Sequence, residues 1–154
     1  MIVGASAEIA DALCHTALGK FPDITAEQLA HLKLTATAAC IVAGTLAITA
    51  CELPGNERVR LEMIVWNEVR VGDPRLLAAV DDGESAVDDV MLPQWANGKP
   101  MGDLLEGADH ALADWLGENA FGEWPVSPRM VQFAKNAGSS MKESMVDFWN
   151  EERL

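Results

Sequence analysis

Positive charge is in short supply in this chain: 11 lysines and arginines stand against 24 acids, a formal net charge of -13 at pH 7 over 154 residues. That shortage excludes direct, non-specific binding to nucleic acid, because affinity for phosphates comes from basic side chains that displace counterions. Cysteine is scarce too. Cys14, Cys40 and Cys51 cannot all pair, and none sits in a C-x-x-C arrangement, so neither a disulfide framework nor a zinc or redox motif is expected. The spacing of Cys40 and Cys51 puts them on one helical face as small hydrophobes. A reducing compartment fits these thiols, and the first residues lack the basic and apolar stretches of a secretory leader, so the expected location is cytoplasmic. Phosphate-binding glycine loops, the G-x-S-x-G elbow and the H-E-x-x-H zinc helix are all missing. His15 follows Cys14, but not in the surroundings of a cysteine nucleophile.

What the chain does have is apolar residues at helical spacing. With 49% apolar and 23% charged residues it reads as one domain, 1–154, able to bury its own core. Ser6 is placed to cap a first helix through Ile9, Ala10, Leu13, Cys14, Ala17 and Leu18, with Gly19 as its stop. Thr25 and Gln28 stand at capping-box spacing before a second helix, 26–53. There Leu29, Leu32, Ala36, Ala39, Ala43, Leu46, Ala50 and Leu53 alternate steps of three and four, the spacing of a coiled-coil-like seam.

Residues 34–51 carry no charge, and eighteen such residues reach the short end of the ~17–25 needed to cross a bilayer. Four threonines and Gly44 dilute that run, and no basic cluster flanks it. The expectation is a buried helix rather than a membrane protein, with a span near 34–51 as the lesser alternative. Its alanines suit close packing against the same chain or, as a homodimer, against a second copy.

Residues 58–71 fit both a strand and a helix. A strand needs a partner, and no second convincing strand occurs, so a helix is expected. Asp73-Pro74 opens the next helix, residues 81–102 read as broken, with a loop over 93–100, and Asp103 and Glu106 open a helix that Gly117 stops. Ser127-Pro128 begins the last one. The expected fold is therefore an all-α, single-domain helical bundle of five or six helices around the alanine-rich helix 26–53.

Acidity is concentrated in the middle of the chain. Residues 73–123 hold twelve acids against Arg75 and Lys99, net -10 of the total. A solvated surface or adaptation to high salt would account for this. The functional counterpart is an anionic face for a basic protein partner, as in an inhibitor, an antitoxin-like or immunity-like protein, or a nucleic-acid mimic. Its candidate residues are Asp81, Asp82, Glu84, Asp88 and Asp89 for steering, with Trp95 and Trp124 in neighbouring loops as anchors. An enzyme is the alternative: Glu106, His110 and Asp114, spaced by four on one helix, have the residue types of a divalent-metal site. No cofactor is expected.

Overall fold

The computed structural model describes residues 1–122 and 126–152. Among them are six helices and no strand: α1 (Ile2–Lys20), α2 (Ala26–Ala50), α3 (Gly55–Arg70), α4 (Pro74–Ala96), α5 (Met101–Asn119) and α6 (Pro128–Glu152). The all-α bundle and the helical reading of 58–71 both hold.

The second helix is the centre. Its capping box forms as the spacing predicts: the Gln28 amide donates to Thr25 Oγ1 at 3.1 Å, and the Thr25 amide donates to Gln28 Oε1 at 3.0 Å. The helix ends at Ala50, before the expected Leu53, because Glu52 enters the left-handed region at φ 52° and turns the chain. All five other helices pack on α2. Its small-residue seam therefore serves the chain's own core: Ala36, Ala38, Ala39, Ala43 and Ala47 are fully buried. Among the described residues α2 alone is long and apolar enough to cross a membrane, and 78% of its most apolar stretch is buried inside the bundle. The hydroxyls of Thr35 and Thr37 donate to the carbonyls of His31 and Lys33 one turn back, at 2.8 and 2.6 Å, which satisfies them inside an apolar interior.

Several helix boundaries differ from expectation, each for a tertiary reason. Ser6 caps nothing: α1 starts at Ile2, and Ser6 is buried on its inner face. The free amides at its start are satisfied by Glu68 of α3, which accepts from Ile2 at 3.2 Å and Val3 at 3.1 Å. Burial opposes charge on Glu68, but these bonds and the Met1 ammonium at 2.6 Å prevail and hold its carboxyl below the ordinary range.

The larger correction concerns residues 81–102. No break occurs at Gly83, and α4 runs on through Pro93 to Ala96. A methyl at Gly83 would stand 3.3 Å from Val42 and 3.4 Å from Trp115, so this glycine admits close contact with α2 and α5 rather than ending the helix. The stop lies at Gly98, with φ +75°, where the Lys99 amide reaches back to the Gln94 carbonyl at 3.1 Å in a Schellman turn. Likewise α5 begins at Met101, with Asp103 in its first turn, and passes Gly117 to end at Asn119. Gly117 is buried beneath the aliphatic stem of Lys135, 2.6 Å from where a Cβ would lie.

Candidate partner-binding face

Continuity of α4 decides how the acids are arranged. Asp81, Glu84, Asp88, Leu92 and Trp95 follow one another at steps of three, four, four and three, so they form one row along the helix. Asp81 and Asp88 are exposed and Glu84 is half-buried beside Val87 and Leu46. Farther along the row Leu92 is 60% and Trp95 68% exposed. Asp82 and Asp89, seven residues apart, form a second row on the side facing α5, where Asp82 Oδ2 accepts a 2.8 Å hydrogen bond from Trp115 Nε1.

Trp95 is thus not a loop residue, as expected from sequence, but part of the last turn of a helix. Nor does the sequence alone mark out Leu92. Its place beyond the acids becomes visible only when α4 is read through Pro93. Trp124 lies outside the described residues.

The electrostatics of the row are unfavourable in isolation. Burial, followed by the neighbouring charges of Asp81 and Asp88, pushes the Glu84 carboxyl above its usual range. Like charges three or four residues apart on a helix cost about 0.2–0.5 kcal/mol per pair. No ion pair among the described residues uses any of these five acids. Elsewhere in the acidic third of the chain the fold does supply counter-ions: Asp73 pairs with Arg75 at 3.0 Å, Asp109 with Lys142 at 2.8 Å and Asp114 with Lys135 at 3.4 Å.

That last pair bears on the metal alternative. Glu106 and His110 line a cleft of about 260 Å³ with Gln94, Lys99 and Asp103, whereas Asp114 is drawn toward α6 by Lys135. The three side chains do not converge, and among the described residues no group of three or more histidine, cysteine or acidic side chains is arranged to hold a metal ion. Of the thiols, Cys40 is buried and its pKa is pushed up to about 12 by desolvation, which leaves it a packing residue.

Two larger clefts lie on other faces. One of about 560 Å³ is formed by α1, α2 and the start of α4, with Lys33 and Arg75 on its rim. Both cations are already paired, with Asp11 and Asp73. The other, about 490 Å³, lies between the end of α1 and the first turns of α6. Compared with family models, curated proteins and solved structures, the chain finds no match in any of the three.

Proposed function

We propose that this chain is a protein-binding module that engages a basic partner through the exposed face of α4. The observation that carries the reading is the row itself: acids without internal counter-ions run directly into two exposed apolar side chains, Leu92 and Trp95. Such a surface divides the labour of recognition. Unpaired acids attract a cationic partner over distance and raise the association rate, while a tryptophan that becomes buried on docking slows dissociation. An acidic surface kept for solubility alone requires neither the exposed tryptophan nor its alignment with the acids.

Affinity capture with the immobilised chain, at low and at moderate salt, tests this reading. The expected result is a basic protein retained at low salt and lost as ionic strength rises. Capture should fall when Asp81, Asp82, Asp88 and Asp89 are replaced by Asn together with Glu84→Gln, and also in the Leu92→Ala, Trp95→Ala double variant. Equal capture by all three proteins would refute the assignment of α4 as the docking face.

A further inference from the structure

We infer that the cleft between the end of α1 and the start of α6 binds a small aromatic oxyanion, an aryl group bearing a phosphate or carboxylate. This inference does not depend on the role given to α4. At about 490 Å³ the cleft has the size of a small-molecule site. Lys20 and Arg129 both line it, and among the described residues no acidic side chain does. Six of its eleven bases, Lys33, Arg58, Arg60, Arg75, Lys135 and Lys142, are already paired with carboxylates, whereas Lys20 and Arg129 enter no ion pair among the described residues. Arg70 and Lys99 also enter no ion pair among the described residues, but Lys99 shares its cleft with Asp103 and Glu106.

The two cations are held by aromatic faces in a crossed arrangement. Lys20 Nζ, from the end of α1, stands 5.5 Å from the ring centre of Phe133 on α6, and the Arg129 guanidinium stands 6.0 Å from the ring centre of Phe21. The rings themselves meet edge to face at 5.6 Å. Exposed cation–π contacts contribute only about 0.5–1 kcal/mol, so they position the charges without neutralising them, and an oxyanion can take up the remaining N–H donors. Arg129 also lies in the first turn of α6, where the helix dipole adds positive potential.

The remaining walls determine the rest of the ligand. Leu13 and Ala137 join the two phenylalanines in an apolar surface that suits a ring. Gln132 donates to Asn136 at 2.8 Å, which fixes two amide side chains at the polar rim. The negative charge of the whole chain opposes an anion at long range, but ionic screening limits that field to about 8–10 Å at physiological salt. Helix α4, with its unpaired acids, packs on α2, α3 and α5.

Nuclear magnetic resonance titration of the whole chain with phenyl phosphate, benzoate, inorganic phosphate and phenol provides the test. Phenyl phosphate or benzoate should give saturable shifts of the Lys20, Phe21, Arg129 and Phe133 amides, and the one that saturates at lower concentration identifies the oxyanion. Inorganic phosphate and phenol, each carrying half of the recognised chemistry, should bind at least about tenfold more weakly. The Lys20→Gln, Arg129→Gln double variant should weaken binding by about tenfold or more. Both side chains are exposed, so an otherwise unchanged spectrum will show that this variant is folded. Phe133→Leu, which keeps the charges, should weaken the aryl ligands toward the level of inorganic phosphate. The proposal is overturned if neither aryl anion gives saturable shifts up to about 10 mM, if the double variant binds as the parent does, or if inorganic phosphate binds equally well.

Discussion

Asp82 accepts a 2.8 Å hydrogen bond from the indole nitrogen of Trp115, a residue that is itself buried between α4 and α5. The acids of α4 therefore differ in what the fold asks of them. Asp82→Ala leaves an indole N–H without its partner and should destabilise by about 1–3 kcal/mol. Asp81→Ala and Asp88→Ala should stay within about 0.5 kcal/mol of the parent, because among the described residues neither carboxylate makes a hydrogen bond or ion pair that the substitution removes. Urea unfolding of the three variants checks the difference. A cost at Asp82 no greater than at the other two would mean that the indole bond contributes nothing.

Glu84 carries the opposite sign to an ordinary paired carboxylate. Its folded pKa is raised, by burial first and then by Asp81 and Asp88, so the folded state holds this proton more tightly than the unfolded chain does. The resulting penalty is absent at pH values below the unfolded pKa, grows as pH rises through the interval between the two pKa values, and is complete above the folded one. Glu84→Gln should therefore stabilise the protein at neutral pH, with the gain shrinking on acidification. Unfolding curves recorded from neutral pH down to about 4 provide the measurement, and a gain independent of pH would show that the carboxyl is not perturbed.

Helix contacts made by glycine can be tested in both directions. A methyl added at Gly138 would lie 2.9 Å from the Ala113 backbone, so Gly138→Ala must push α6 away from α5 and should cost about 1–3 kcal/mol. Gly4 has nothing within 4 Å of the same addition, and there alanine should gain up to about 1 kcal/mol from helix propensity. Ala43→Leu, at a fully buried position of α2, should destabilise in the same range as Gly138→Ala. Thermal unfolding distinguishes the variants, and equal stability of the two glycine variants would contradict the close packing of α5 against α6.

The sequence is most legible where local and global signals coincide. Thr25, Gln28 and the seam of α2 announce a helix whose cap and burial point the same way. Residues 58–71 resolve by exclusion, and their Leu61, Val65 and Val69 are indeed the buried face of α3. Gly83 and Pro93 mislead because both are local breakers, yet packing against Val42 and Trp115 explains the first, while the second forfeits one backbone hydrogen bond with only one turn of helix left beyond it. Charge counting finds the five acids of α4. It does not reveal their alignment with Leu92 and Trp95, which requires an uninterrupted helix, and it passes over Lys20 and Arg129, which only the approach of α1 and α6 brings together.

The two halves of the α4 row should fail in different ways. If α4 is the docking face, Leu92→Ala and Trp95→Ala remove apolar surface that the partner would cover, so they should chiefly speed dissociation from the captured partner. The acids should instead govern encounter. Each rim charge contributes only about 0–1 kcal/mol, so all five have to be changed together.

The decisive measurement is the association rate of the captured partner across a salt series, for the parent and for the protein with Asp81, Asp82, Asp88 and Asp89 changed to Asn and Glu84 to Gln. A docking face on α4 requires the parent rate to fall steeply with salt, and the neutralised protein to associate more slowly at low salt with a flattened dependence. Identical rates and identical salt slopes would contradict it.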